Sequence, residues 1–274
     1  MSDFTGRTAM VTGAAGGIGS ATALEFARRG ASLLLLDRKL ELLDHVTAAC
    51  ADAGAPAVQP LGVDQTDRDA VEDAVRRTWD RHGRVDALFA NAGYGKFSPF
   101  LETPLREWTR HVDVNLTGTF HVCQSVARAM ATDRQGGAIV VNASSGAEQH
   151  ADQLSAYCST KAALRMLSIG MASELGVHRI RVNCVMPGVI ESPMTSGMLA
   201  DGDHREVLLA ETPVGRLGRP QDVAELVCFL ASERAAFITG HAVMIDGGQT
   251  IHGHPRWFRL DYRQAHDEQW DVGR

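Results

Sequence analysis

Long hydrophobic stretches are absent from this chain of 274 residues. No apolar run approaches the roughly 18 residues that a membrane-spanning helix needs. The first residues, Met-Ser-Asp-Phe-Thr-Gly-Arg, lack the apolar core of a secretion signal. We therefore expect a protein that neither crosses a membrane nor binds to one.

Cysteine is scarce, with five residues, an odd number, scattered without any Cys-x-x-Cys pair. This usage is typical of reduced thiols in a cytoplasm and argues against a disulfide framework or a zinc site. His252 and His254 lie close together near the C-terminus, but no third ligand accompanies them. We predict a cytoplasmic protein with no metal site.

An excess of basic charge is also missing, since the formal net charge is −6 and the isoelectric point is near 6.0. The chain thus has no basic surface of the kind that binds nucleic acid or anionic lipid. Its 45% hydrophobic and 22% charged residues are ordinary for a globular protein and exclude a disordered chain.

What the chain does contain is an alternation of short apolar runs and longer amphipathic segments. The predicted strands are 8–11, 32–37, 57–62, 85–91, 138–143, 180–186 and 242–245. The predicted helices are 17–29, 39–53, 67–82, 107–133, 156–175 and 220–231. Several strands are hydrophobic without interruption, which indicates burial on both faces. The pattern predicts an α/β protein with one doubly wound, Rossmann-type domain: a mostly parallel sheet of seven strands with helices on both faces.

No linker or repeat divides the chain, so we predict one domain over residues 1–248. Within it, residues 191–215 form a longer connection rich in Gly and Pro, of the kind that covers a substrate. After the domain comes an extension, 249–274, with four aromatic residues. We expect the extension to pack on the domain or on a neighbouring subunit, and a sharper hypothesis is that it covers the active site.

A glycine-rich turn lies between the first strand and the first helix. It runs from Thr12 to Gly19 and has the spacing Gly-x3-Gly-x-Gly. Glycines allow a tight turn and let backbone N–H groups approach a pyrophosphate at the helix N-terminus. The candidate cofactor-binding residues here are Gly13, Gly16, Gly17, Ile18 and Gly19. The alternative is a tight connection without a ligand.

The second predicted strand ends at Asp37, which is 18 residues after Gly19. A carboxylate at this place binds the ribose hydroxyls of NAD and repels the 2′-phosphate of NADP. Arg38 beside it complicates the choice, because a guanidinium can pair with that phosphate. Asp37 could also cap the following helix. We predict NAD as the cofactor, with NADP as the less favoured alternative.

Tyr157 and Lys161 lie four residues apart among small side chains, so a helix places them on one face. They could be a solvated pair. Alternatively, the ammonium group could favour the phenolate form of Tyr157, whose pKa would otherwise be near 10. A phenol of this kind can exchange a proton with a substrate oxygen.

These residues and their order resemble the short-chain dehydrogenase/reductase family, over residues 5–248. The motifs that carry the resemblance are Thr12-Gly13…Gly17-x-Gly19, Asn91-Ala92-Gly93, Asn115, Ser144, Tyr157-x-x-x-Lys161, Pro187-Gly188, Ile238-Thr239-Gly240 and Ile245-Asp246-Gly247-Gly248. Each follows the expected strand or helix in chain order. One departure is Ser192, where the family commonly has Thr.

The resemblance implies roles for individual residues. Tyr157 is the acid/base, Lys161 lowers its pKa and contacts the nicotinamide ribose, and Ser144 (or its neighbour Ser145) binds the substrate oxygen. Asn115 holds a water in the proton relay, unless it only kinks or caps its helix. The further implied cofactor contacts are Asp64 at the adenine (or a turn residue), Asn91 and Gly93 along the ribose, Pro187 and Gly188, and Ile190 with Ser192 at the carboxamide.

The function implied is interconversion of a secondary alcohol, for example a sugar or polyol, with its ketone or lactone. The polar segment 146–153 favours such a substrate, whereas Tyr94, Phe97 and Phe100 favour an apolar one. The alternatives are an NADPH-dependent 3-oxoacyl-thioester reductase and a catalytically silent dinucleotide sensor. The family also implies a homotetramer and a small-molecule partner.

Overall fold

Seven parallel strands form a single sheet in the computed structural model, which describes residues 3–134 and 136–251. The strands are β1 (Thr8–Thr12), β2 (Ser32–Asp37), β3 (Val58–Gly62), β4 (Ala87–Ala90), β5 (Gly137–Asn142), β6 (Ile180–Pro187) and β7 (Ala242–Ile245). Their order is β3-β2-β1-β4-β5-β6-β7, and each neighbouring pair is parallel. The predicted fold class is therefore confirmed, with no antiparallel strand in the described sheet.

Helices cover both faces of this sheet. They are α1 (Gly17–Arg28), α2 (Asp44–Asp52), α3 (Arg68–His82), α4 (Leu105–His111), α5 (Thr119–Asp133), α6 (Ser155–Leu175), α7 (Ser196–Leu199), α8 (Gly202–Ala210) and α9 (Pro220–Ala231). Leu33 and Leu35 of β2 belong to one hydrophobic core, while Leu34 and Leu36 belong to the other. Because successive side chains of a strand point to opposite faces, the run of four leucines is buried from both sides.

The predicted helix 107–133 differs most from the structure. The helical chain begins two residues earlier, at α4, and between α4 and α5 it widens into a π-helical segment, Val112–Gly118. A π-helical turn contains one extra residue, and such turns are frequent at functional sites. Periodicity over the long apolar face still predicts a helix, but it does not reveal the extra residue.

Two other predicted segments change in detail. The segment 39–53 opens with a 3₁₀ turn, Leu40–Leu43, and becomes α-helical only from Asp44. The loop 191–215 contains α7 and α8, and the Asp201 side chain accepts hydrogen bonds from two backbone N–H groups at the start of α8. The boundaries of the other elements are correct to within about two residues.

Strand order reverses between β1 and β4, because the chain leaves β1 in one direction and returns on its other side at β4. In open parallel sheets, ligands bind outside the carboxyl ends of the strands at such a point. The glycine-rich turn after β1 and the segment after β4 both lie there. The expectations about the extension beyond Ile251, including His252 and His254, lie outside the described residues.

Candidate active site

A cavity of about 470 Å³ lies at the carboxyl ends of the strands. It is lined by every residue that the sequence predicted for the cofactor, and by Ser144: Gly13, Gly16, Gly17, Ile18, Gly19, Asp37, Asp64, Asn91, Gly93, Tyr157, Lys161, Pro187, Gly188, Ile190 and Ser192. Among the predicted site residues, Asn115 alone does not line it. The local motifs of the sequence thus come together in one place.

The glycine-rich turn is shaped by close backbone contacts. Gly13 has a φ of +62°, and a Cβ there would lie 2.8 Å from Cα of Ala92. A Cβ on Gly19 would lie 2.1 Å from the carbonyl oxygen of Gly13. Only glycine fits at these positions, and the result is that the N-terminus of α1 opens onto the cavity, as an anionic pyrophosphate requires.

A chain of polar side chains connects β1, β4 and β5 beneath this turn. The Asn91 amide nitrogen Nδ2 donates to the Thr12 carbonyl oxygen at 2.9 Å, and its backbone N–H donates to Thr12 Oγ1 at 2.9 Å. Asn142 Nδ2 in turn donates to Asn91 Oδ1 at 2.8 Å. Asn91 therefore ties three strand ends together, and its expected contact with the ribose stays a prediction.

Lys161 is 3% exposed, and its Nζ donates to the Asn142 carbonyl oxygen at 2.7 Å. Burial lowers the pKa of Lys161 to about 8, because the charged form loses its hydration. Nζ lies 5.6 Å from the centroid of the Tyr157 ring. Lys161 is therefore buried beside a partly buried Tyr157, which excludes the alternative of a solvated surface pair.

Burial raises the pKa of Tyr157, while a hydrogen bond with the Ser144 side chain lowers it. Burial prevails, so the direction in the protein alone is upward. The lowering that we expected from Lys161 stays a prediction for the enzyme with cofactor bound. Ser144, rather than Ser145, lines the cavity, and Ser144 Oγ also accepts a hydrogen bond from the Gly146 backbone at 3.1 Å.

Asn115 is fully buried in the π-helical segment. Its Oδ1 accepts from the Tyr94 backbone N–H at 2.7 Å, and its Nδ2 donates to the Tyr94 carbonyl oxygen at 2.9 Å and to Thr160 Oγ1 at 3.1 Å. The carboxamide thus fastens the loop after β4 to α6, three residues from Tyr157. That Asn115 also holds a water stays a prediction.

The end of the cavity at Asp37, away from Tyr157, is more exposed to solvent. Asp37 Oδ2 accepts from the Ala15 backbone N–H at 3.3 Å, and Oδ1 accepts from the Lys39 backbone N–H at 3.4 Å. Asp37 therefore links the glycine-rich turn to the residues that lead into the 3₁₀ turn. Arg38 is exposed and also lines an adjoining cavity of about 590 Å³, together with Arg106 and Arg110.

Asp64 acts as a turn residue, which was the alternative to an adenine contact in the sequence analysis. Its Oδ1 accepts from the Thr66 backbone N–H at 2.9 Å and from Thr66 Oγ1 at 2.8 Å, which stabilises the turn before α3. Asp64 still lines the cavity. A contact with adenine would have to be made beside these two hydrogen bonds.

Near β6, the chain that carries Ile190 and Ser192 closes over the glycine-rich turn. A Cβ on Gly17 would lie 3.0 Å from Ser192 Cβ. Thr195 Oγ1 accepts from the Ser192 backbone N–H at 3.0 Å and donates to the Ile190 carbonyl oxygen at 2.6 Å. Gln249 fixes Val189, the residue before Ile190, because its Oε1 accepts from the Val189 backbone N–H at 2.9 Å.

Several residues that build the site were missed from the sequence. They are Gln65, Asn142 and Gln249. Asn142 is the last residue of β5, whereas Gln65 comes three residues after β3 and Gln249 four residues after β7. A polar residue at or just beyond the carboxyl end of a parallel strand is the signal that could have identified them.

Two features concern metals and membranes. Among residues 3–134 and 136–251, no group of three metal-ligating side chains occurs. Within the same residues, every helix is too short or too polar to span a bilayer.

Comparison with known proteins agrees with this geometry. Residues 13–250 match a family model described as "Enoyl-(Acyl carrier protein) reductase". The 3-oxoacyl-[acyl-carrier-protein] reductase of Thermotoga maritima is 36% identical over 247 residues, which cover 90% of this chain and 98% of the relative. The D-erythrulose reductase of Gallus gallus is 39% identical over 246 residues, covering 89% and 96%.

Solved structures are similar over the same region. NAD⁺-bound xylitol dehydrogenase superposes with a TM-score of 0.85 at 31% identity, covering 89% of this chain and 99% of that one. A gluconate 5-dehydrogenase of Burkholderia cenocepacia, in complex with NADP and tartrate, gives 0.87 at 30% identity, covering 91% and 97%. The chain belongs to the short-chain dehydrogenase/reductase family and is an oxidoreductase that acts on CH–OH groups.

Proposed function

We propose that this protein is an NAD-dependent oxidoreductase that interconverts a secondary alcohol, for example of a sugar or polyol, with its ketone or lactone. One observation carries the proposal: partly buried Tyr157 and buried Lys161 line the same cavity as the glycine-rich turn and Asp37. In this cavity the glycine-rich turn would hold the phosphates of a dinucleotide, and Tyr157 with Lys161 would lie beside its reactive ring.

Oxidation of an alcohol removes a hydride and a proton from the same CH–OH group. The nicotinamide cofactor, when bound, accepts the hydride. Tyr157 Oη takes the proton from the substrate hydroxyl, and Ser144 Oγ orients the substrate oxygen beside it. Lys161, held by the Asn142 carbonyl oxygen, places a positive charge that favours the phenolate. Reduction uses the same groups in the opposite direction.

The preference for NAD rests on Asp37, whose carboxylate lies at the glycine-rich turn. It repels a 2′-phosphate and is suited to the ribose hydroxyls. Arg38 and Arg110 both line the cavity and are the groups that would have to offset this repulsion for NADP. Relatives of known structure have either cofactor, as xylitol dehydrogenase with NAD⁺ and gluconate 5-dehydrogenase with NADP illustrate.

A sugar or polyol substrate is supported by the polar segment 146–153 after Ser144 and by relatives named for D-erythrulose and L-xylulose. Phe97 and Phe100, which favour an apolar substrate, are 51% and 75% exposed, so they do not form a closed apolar pocket. The second candidate, a 3-oxoacyl-thioester reductase, is favoured by the Thermotoga relative.

The test is formation of NADH by purified protein with sugars, polyols, hydroxy acids and hydrophobic secondary alcohols, with NADP⁺ in parallel. Acetoacetyl thioester with NADH or NADPH tests the second candidate. Tyr157→Phe is the blank. Turnover of a sugar or polyol with NAD⁺ that disappears in the variant supports the proposal. If the protein binds a dinucleotide without turnover in either direction, the silent sensor is the better description.

We further propose a cytoplasmic homotetramer. All five cysteines are free, as expected for a reducing compartment. The family commonly assembles through its two long helices, here the predicted helices 107–133 and 156–175. Both carry exposed apolar side chains, among them Trp108, Phe120 and Met166. Light scattering that shows a monomer at working concentration would exclude the tetramer.

The boundaries of the domain (1–248) and extension (249–274), and the packing of the extension on the domain or a neighbouring subunit, are likewise proposals. The packing is supported by a contact at the start of the extension. The Thr250 carbonyl oxygen accepts a hydrogen bond from Gln149 Nε2 at 2.7 Å, and Gln149 belongs to the loop that follows Ser144. If the extension covers the site, deletion of residues 253–274 changes KM, kcat or oligomer size. Unchanged values for all three would exclude this role.

A further inference from the structure

Gln65, which follows β3, makes contacts that the proposed chemistry does not use. The residue is 8% exposed and lines the cavity. Its Nε2 donates to the Val114 carbonyl oxygen at 2.7 Å and to the Ala92 carbonyl oxygen at 3.2 Å. These two acceptors lie on different segments, so one side-chain amide connects the π-helical segment to the loop after β4.

The positions of the two acceptors matter because Asn115 connects the same two segments. Val114 is the residue before Asn115, and Ala92 is two residues before Tyr94, to which the Asn115 carboxamide is bound at both backbone groups. Gln65 and Asn115 therefore form two parallel connections between the segments. Two connections restrain a relative rotation that one would allow.

The contacts of Gln65 extend to the end of the π-helical segment and into α5. A Cβ on Gly118 would lie 2.7 Å from Gln65 Cγ, so the stem of the glutamine fills the space beside that glycine. His121 Nδ1 lies 3.2 Å from the Gln65 carbonyl oxygen. The side chain is thus packed against Gly118 as well as hydrogen-bonded.

We propose that Gln65 is a positioning residue for the reaction: it holds the π-helical segment at Val114, so that Asn115 keeps the loop after β4 in place against Tyr157. Gly95 of that loop lies at the Tyr157 ring, since a Cβ there would be 3.5 Å from ring atom Cδ2. The hydrogen bonds of the Gln65 amide go to Val114 and Ala92, so its effect on Tyr157 is through other residues. The inference rests on the proposed oxidoreductase function.

The test uses Gln65→Met, which keeps the length of the side chain and removes both donors. We expect kcat to fall about 10-fold, as the loss of two buried hydrogen bonds can explain, while substrate KM and NAD⁺ affinity change less than about 3-fold. The pH profile of kcat should shift as well, because the loop packs on Tyr157. Gln59→Met is the matched control, since the Gln59 side chain bonds His82 outside the cavity.

A kcat and pH profile equal to those of the wild type would overturn the proposal, and so would an equal loss in Gln59→Met. The exchange rate of the Tyr94 amide hydrogen, which is bonded to Asn115 Oδ1, gives a readout that needs no substrate. It should rise at least about 10-fold in Gln65→Met. An unchanged rate overturns the inference even where no substrate is turned over, whereas absent turnover with an increased rate contradicts only the proposed function.

If Gln65→Met does not fold, Gly118→Ala tests the same contact between Gln65 and Gly118. Alanine normally favours a helix over glycine, but here its Cβ displaces Gln65. Amide exchange at Tyr94 should increase, and combining Gly118→Ala with Gln65→Ala should give less than the sum of the two effects. Full additivity would contradict the coupling.

Discussion

The two ends of the cavity are built differently. At the Tyr157 end, Asn115 is 0% and Lys161 3% exposed, and their hydrogen bonds measure 2.7–3.1 Å. At the Asp37 end, the carboxylate accepts bonds of 3.3 and 3.4 Å, and Arg38 is exposed. Buried groups interact strongly because little water screens them, while exposed charges contribute little each.

This contrast suggests a division of roles. On the proposed function, the buried end holds the groups that would move a proton, and changes there should alter kcat by large factors. The exposed end would select between cofactors through a few charges, and changes there should alter cofactor preference by modest factors. Substitutions at each end can therefore separate the two roles.

Replacing Lys161 by methionine removes the buried ammonium group and leaves the Asn142 carbonyl oxygen without that donor. We expect kcat to fall about 10²-fold, the size typical of a lost electrostatic contact at a reacting centre. Steady-state kinetics measure it, with Lys39→Met, an exposed lysine, as the control. A loss below about 3-fold would show that the ammonium group is not needed for the chemistry.

Lys161→Met should also show how much the buried charge lowers the free energy of unfolding. The pKa of Lys161 is lowered to about 8 in the folded protein, against an ordinary value of 10.5. Between these values the unfolded chain binds the proton more tightly than the folded protein does. The free energy of unfolding is therefore highest above pH 10.5, where Lys161 is neutral in both states, and it decreases as the pH falls to 8. From pH 7.5 to pH 10, the free energy of unfolding of the wild type should rise relative to Lys161→Met by about 2 kcal/mol. Denaturant titrations at both pH values measure this difference, and a constant difference would contradict it.

At the exposed end, Asp37→Ala removes the carboxylate that we propose to repel the 2′-phosphate of NADP. We expect the ratio of kcat/KM for NAD⁺ to that for NADP⁺ to fall about 10-fold, with kcat almost unchanged, because the contacts are solvated. Arg38→Ala should change the ratio in the opposite direction. If kcat instead falls with both cofactors, the two ends are not separable.

The smallest effect is expected for Asp64→Ala. Because Oδ1 of this carboxylate already accepts two hydrogen bonds from Thr66, its loss should lower the free energy of unfolding by about 1 kcal/mol and change the NAD⁺ dissociation constant less than about 3-fold. Fluorescence titration with NAD⁺ and thermal unfolding distinguish the two outcomes. A tenfold loss of affinity would instead assign Asp64 to the adenine.

How much the sequence could predict depends on the range of the interactions. The glycine-rich turn, Asp37, and the pair Tyr157 and Lys161 are recognised from spacing along the chain, and the structure brings them into one cavity. Continuous apolar runs likewise predicted the parallel sheet, since burial on both faces leaves no other pattern.

What escaped prediction depends on contacts between distant segments. The π-helical turn at Asn115 is held by Tyr94, Thr160 and Gln65, none of which is near it in sequence. The turn role of Asp64 could be stated only as an alternative, because an acid two residues before a threonine fits a turn and an adenine contact equally well. Composition and periodicity describe local preferences, and tertiary hydrogen bonds override them.

Tyr157 is the residue on which the proposed proton transfer depends most. The direct measurement is kcat for NADH formation by the wild type and by Tyr157→Phe on the best substrate of the panel, with NAD⁺ dissociation constants for both from fluorescence titration. We predict that kcat falls about 10³-fold while the NAD⁺ dissociation constant changes less than about 3-fold. Equal kcat values in the two proteins would contradict the account.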